Sequence, residues 1–138
     1  DGFLNVAIEN YSKAISLKPE YTQAYYKRGL SYKKNNLHQE AVQDFSKVIE
    51  LSPSNQYIYY TYYLRAISKD SLSDFSGAES DYSTVISFNN TFSNAFLKRA
   101  EVRMNQNRFT DACSDFKRVQ EMGQVLDLNQ LERACKAI

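Results

Sequence analysis

The chain has 138 residues, 43% of them hydrophobic and 24% charged, with 17 Lys and Arg against 16 Asp and Glu for a formal charge of +1. A balance this even supplies no bulk field for nucleic acid or an anionic membrane, and no apolar run reaches the length of a membrane-spanning helix. The two cysteines, Cys113 and Cys135, are too few and too far apart for a zinc pattern or a disulfide framework, and they read as buried small apolar side chains.

The first residues already carry a helical stripe, Ala7, Tyr11, Ala14 and Leu17, closed by Pro19. The same pattern of small, aromatic and aliphatic residues returns 34 positions later as Ala41, Phe45, Val48, Leu51 and Pro53. The opening helix is therefore the second member of a hairpin, with its partner upstream of Gly2, and the chain reads as part of a longer protein. Phe3, Leu4 and Ile8 form the apolar face that such a partner would cover.

A complete hairpin follows over residues 22–55. Gly29 stands four residues after Tyr25 on one helix face, where its lack of a side chain lets a facing helix come close. Ala41, Phe45 and Val48 give the second helix a small, large and medium apolar stripe, and Pro53 ends it near Leu51. His38, the single histidine, lies at the hairpin turn without Cys, Asp or Glu at ligand spacing, and reads as a packing residue.

The next unit, residues 56–91, is displaced. Ala41 to Ala78 and Phe45 to Tyr82 span 37 residues rather than 34, so three residues have been added near the connection, in the tyrosine-rich run Tyr57, Tyr59, Tyr60, Tyr62 and Tyr63. The register places Tyr62 and Ala66 in the core. Asn89 and Asn90 replace the proline stop, and asparagine's tolerance of the left-handed conformation preserves the ending. Residues 92–125 return to the 34-residue spacing with Phe96, Ala100, Phe109, Ala112, Phe116 and Val119, and Gly123 reads as the C-cap. Over residues 126–138, Leu128, Leu131, Cys135 and Ile138 recur at helical spacing behind Asp127, a candidate N-cap. Eight helices are expected in all.

Tyr25, Arg28, Gly29, Tyr32, Ala41, Phe45 and Pro53 resemble the tetratricopeptide pattern W-x2-L-G-x2-Y…A-x3-F…P, with Tyr25 in the Trp position and Arg28 in the Leu position. The resemblance implies an all-α fold, a right-handed α-solenoid of about three and a half repeats plus a C-terminal capping helix, in a single domain over 1–138. It also implies a concave groove lined by the first helices of the hairpins, where ligands of this family lie.

By register that groove presents Tyr26, Lys27, Leu30, Lys33 and Lys34 from the first complete hairpin. Tyr60, Tyr63, Leu64 and Ile67 come from the second, and Leu97, Lys98, Glu101 and Met104 from the third. Basic at one end and aromatic to aliphatic in the middle, it suits a peptide segment of a partner protein carrying apolar and acidic groups. The expected function is a protein-interaction scaffold. The alternative is a structural, self-associating module that works through its ends or the Tyr-rich insertion.

Grip on the acidic C-terminal tail of heat-shock chaperones is not expected. That clamp needs Lys and Asn where Tyr26 and Leu30 stand, Asn where Leu64 stands, and Lys and Arg at Asn94 and Lys98. Only Lys98 is compatible. No nucleophile beside a base, glycine-rich loop or acidic cluster at metal spacing is present, so no enzyme, cofactor or metal is expected. Acidic pairs such as Asp111 with Asp115, and Glu79 with Asp81, read as solvated outer faces. The first residues lack the blocks of a secretory signal, which favours a soluble, cytoplasmic setting.

Overall fold

The computed structural model describes residues 2–136. Among the described residues there are eight helices and no strand: α1 Gly2–Leu17, α2 Thr22–Lys34, α3 His38–Leu51, α4 Ile58–Ser71, α5 Phe75–Phe88, α6 Ser93–Asn105, α7 Phe109–Glu121 and α8 Leu128–Lys136. Ile138, placed at helical spacing by the sequence, lies outside the described residues. The chain divides into two compact units, Asp1–Ser73 and Asp74–Ile138.

In the first unit each helix packs on the next, α1 on α2, α2 on α3 and α3 on α4. Ala41, Phe45 and Leu64 form the buried centre, with Tyr26, Leu30 and Tyr32 packed against it. Gly29 is required there, because a Cβ at that position would lie 2.9 Å from Cε1 of the Phe45 ring. That ring is fully enclosed and has nowhere to move. α3 ends at Leu51, two residues before Pro53. α1 contributes no fully buried residue, and Phe3 remains 83% exposed. His38 opens α3 half-buried, with its Nδ1 enclosed and unbonded. Tyr62 is half-buried rather than enclosed, under the Arg65 guanidinium at 5.2 Å.

Each turn within a hairpin carries a residue in the left-handed region: Asn36 at φ 59°, Ser73 at φ 61° and Asn107 at φ 58°. Two of the three are asparagine, which pays least for that conformation after glycine. The stop after α5 works differently from its sequence expectation. Asn89 is extended rather than left-handed, with φ −143° and ψ 91°, and its Oδ1 accepts from the Thr91 backbone N–H at 3.1 Å. An Asx turn ends this helix.

In the second unit α5 packs on α6, α6 on α7 and α7 on α8. Gly123, at φ 83°, follows α7, and Asp127 Oδ1 accepts from the Asn129 N–H at the start of α8. Ala100, Ala112, Cys113, Phe116 and Ala134 are the buried centre, with Leu97, Met104, Leu126, Leu131 and Cys135 around them. The cysteines are not free apolar side chains. Cys113 on α7 and Cys135 on α8, 22 residues apart, form a disulfide. Linear spacing did not reveal it, because α8 folds back over α7 and brings the two Cα atoms to 5.0 Å. Such bonds persist in oxidising compartments and are rare in a reducing cytosol. No helix among the described residues is long and apolar enough to cross a membrane.

Candidate functional site

The layer beneath the surface of both units is built on arginine. Arg28 on α2 makes a bidentate pair with Asp44 on α3, Nε to Oδ2 and Nη2 to Oδ1 both at 2.8 Å, while Nη1 donates to Ser12 Oγ on α1 at 3.0 Å. Arg99 repeats the arrangement with Asp115 at 2.9 and 2.7 Å and Ser83 at 3.0 Å. Arg65 donates to Ser46 at 2.9 Å. Each guanidinium also lies against the aromatic ring three residues earlier, Tyr25 and Phe96 at 5.6 Å and Tyr62 at 5.2 Å. Arg28 and Arg99 each thus tie their own helix to the helices before and after it, by charge-assisted bonds and a cation–π contact.

This overturns the reading of Asp115, Glu79 and Asp81 as solvated, while Asp111, paired with Arg108, stays at the surface. Asp44, Asp81 and Asp115 are all buried. Glu79 is largely enclosed, accepting from Arg103 Nε at 2.8 Å, and Arg103 Nη1 reaches Asp115 at 2.7 Å. Burial would raise the Glu79 carboxyl, but the Arg103 hydrogen bond and the fields of Arg103 and Arg108 outweigh it and hold the group below its ordinary value. The sequence does carry the signal. Asp44, Asp81 and Asp115 recur at the repeat spacing, as do Ser12, Ser46 and Ser83, and each arginine replaces the expected Leu.

Above that layer, on the first unit, α2 and α4 carry the residues expected in the groove. Tyr26 and Leu30 are half-buried against the Phe45 core. Burial first, then the nearby Tyr60, raises the Tyr26 phenol above its usual value. Tyr60 stacks on Tyr63 with ring centroids 5.8 Å apart and remains 41% exposed. Ile67 is half-buried. Lys27 and Lys34 are exposed and Lys33 partly so, and none of the three makes an ion pair with a described residue. Leu64 is a correction. At 5% exposure it belongs to the core with Ala41 and Phe45, because α4 turns that position down onto α3.

In the second unit the expected residues are engaged differently. Leu97 and Met104 pack on the centre that α7 and α8 complete, and Lys98 pairs with Glu101 at 2.7 Å.

A cleft of about 450 Å³ opens in the first unit between the starts of α2 and α4 and the end of α3. Thr22, Gln23, Tyr26, Val48, Ser52, Asn55, Tyr57, Ile58 and Thr61 line it. Of these, only Tyr26 is among the residues expected on the groove face. The three-residue insertion was the legible signal: two of the added residues lengthen the connection, 52–57 against the four residues of 18–21 and 89–92, and the third makes α4 14 residues long where α2 and α6 have 13. Among the described residues no cluster of three or more His, Cys, Asp or Glu could hold a metal ion.

Comparison with known proteins gives matches to this repeat type. The family described as Tetratricopeptide repeat matches residues 22–55, and that described as TPR repeat matches residues 2–36. The chain is 39% identical over 56 residues to the UDP-N-acetylglucosamine peptide N-acetylglucosaminyltransferase of Giardia intestinalis, covering 41% of the chain and 4% of that protein. It is 36% identical over 95 residues to serine/threonine-protein phosphatase 5 of Rattus norvegicus, covering 69% of the chain and 18% of that protein. The chain thus spans less than a fifth of either relative.

Among solved structures, MamA superposes with a TM-score of 0.89 at 17% identity, over 99% of this chain and 79% of that one. YrrB, described as a TPR protein with an unusual peptide-binding site, gives 0.76 at 22% identity over 88% and 61%.

Proposed function

Because the chain belongs to the tetratricopeptide-repeat family, we propose that it is a protein-interaction scaffold whose first unit holds a peptide segment of a partner between α2 and α4. The observation that carries this reading is the face itself. On α2, Lys27, Lys33 and Lys34 stand without an acidic partner among the described residues, and on α4 Tyr60 stacks on Tyr63. Rigid aromatics supply contact area at small entropic cost, and free ammonium groups select for acidic residues. A solved relative in fold, YrrB, is described as binding peptide, which supports the class of ligand and not its identity.

The heat-shock tail does not fit this face. Its clamp would need polar or basic groups at Tyr26, Leu30 and Leu64, and Leu64 is in the core. The work is recognition rather than reaction, and a shallow groove ordering a flexible segment holds it at about micromolar affinity or weaker.

The test is selection of random dodecapeptides displayed on phage against the whole chain, followed by binding to Tyr63→Ala combined with Lys27→Glu. Selected peptides should lose affinity for that variant by about tenfold or more while its helical circular dichroism is unchanged. Unaltered affinity would move the site off this face, and failure to select any peptide would count against the reading as a whole.

A further inference from the structure

The cleft beside the 52–57 connection has a chemistry distinct from the basic stretch of α2. Its floor is Val48 and Ile58, 5% and 3% exposed, and its walls carry hydroxyl, amide and phenol groups from Thr22, Gln23, Ser52, Asn55 and Tyr26. No charged side chain lines it. The added residues shape it directly. Asn55 Oδ1 accepts from the Tyr57 N–H at 2.8 Å and its carbonyl accepts from Ile58 N at 2.9 Å, which fixes the turn and seats Ile58 in the floor.

A carboxylate entering this cleft would lose water without gaining a cation, whereas an apolar side chain would cover Val48 and Ile58. The surrounding hydroxyls and amides can meet the N–H and C=O groups of the backbone on either side of such an anchor. Lys33 and Lys34 lie at the other end of α2, ten and eleven residues beyond Gln23, or about 16 Å at 1.5 Å per residue. An extended peptide covers that distance in about five residues.

Resting on the groove reading above, we infer that the insertion-built cleft is an anchor pocket for an uncharged aromatic or large aliphatic side chain. The bound segment carries acidic residues about five positions from that anchor, where they meet Lys33 and Lys34. The occupant is therefore an extended partner segment with two unlike ends, and the three added residues of this repeat decide which segment is accepted.

The same displayed dodecapeptides provide the probe. Peptides selected on the wild-type chain should share an uncharged aromatic or aliphatic position and an acidic position about five apart. Gln23→Trp, on an exposed residue at the mouth, should weaken them by about tenfold, and replacing their anchor by alanine should remove that sensitivity. Gln23→Lys serves as a second variant, since a charge at the mouth should discourage the apolar anchor without filling the space. Lys33→Glu with Lys34→Glu should cost the acidic end alone.

Peptides that lose binding to the Tyr63 and Lys27 variant, yet share no anchor and ignore both Gln23 variants, would overturn the anchor pocket and leave the groove reading standing. Peptides indifferent to Tyr63 and Lys27 would overturn both.

Discussion

Arg28 shows how one residue can replace an expected leucine without emptying the core. Its two ring contacts, with Tyr25 and Tyr32 at 5.6 Å, cover the apolar side of the guanidinium, and Asp44 and Ser12 satisfy its edge. Enclosing an ion pair is costly, but removing one partner costs more, because the other is left charged and enclosed. Asp44→Ala should therefore lower stability by about 3 kcal/mol or more, whereas Arg28→Leu combined with Asp44→Leu should cost much less. Urea titrations of the single and double variants measure both.

Glu79 adds a pH dependence at the same scale. Its folded value is depressed below the ordinary 4.5. Its contribution is therefore full above that value and fades as the pH falls through the lower, folded one. Thermal unfolding should show a decline below about pH 4.5 that is shallower in Glu79→Gln. An equal slope in that variant would assign the decline to other carboxylates.

Among the elements, α8 depends most on a single bond. Nine residues make a helix too short to persist by itself in water, so its place on α7 rests on Ala134, Leu131 and the disulfide. Closing a loop between residues 22 apart contributes about 3 kcal/mol in the chain-entropy account. With reductant, or in Cys135→Ala, the amides of α8 should lose hydrogen-exchange protection while those of α2 and α3 keep theirs. Unchanged protection of α8 would mean that apolar packing alone holds it. α4 is the contrasting case, since its start at Ile58 is fixed by the Asn55 turn of the lengthened connection rather than by a covalent tie.

For the whole molecule, the formal charge of +1 leaves no long-range field, so recognition depends on local groups such as Lys27, Lys33 and Lys34. The rival to peptide binding is self-association through exposed apolar residues, of which Phe3 and Tyr57, 83% and 65% exposed, are candidates. Light scattering across a wide concentration range should give a mass near 16.0 kDa throughout if the α2 and α4 face is kept free for a partner. A defined dimer would favour the structural alternative, and Tyr57→Ser would then test whether the insertion forms the contact.

The 34-residue recurrence of small and large apolar residues determined the helices, their stops at Leu51 and just before Gly123 and the repeat class, because helical spacing and turn chemistry are local properties written in order along the chain. Gly29 was legible for the same reason: a missing side chain implies a close neighbour. What only the tertiary structure decided were meetings that no recurrence marks: Cys113 with Cys135, and Leu64 with Phe45. Each depends on the angle at which one helix lies on another. A rotation of one position moves a side chain from groove to core, and no spacing along the chain records it.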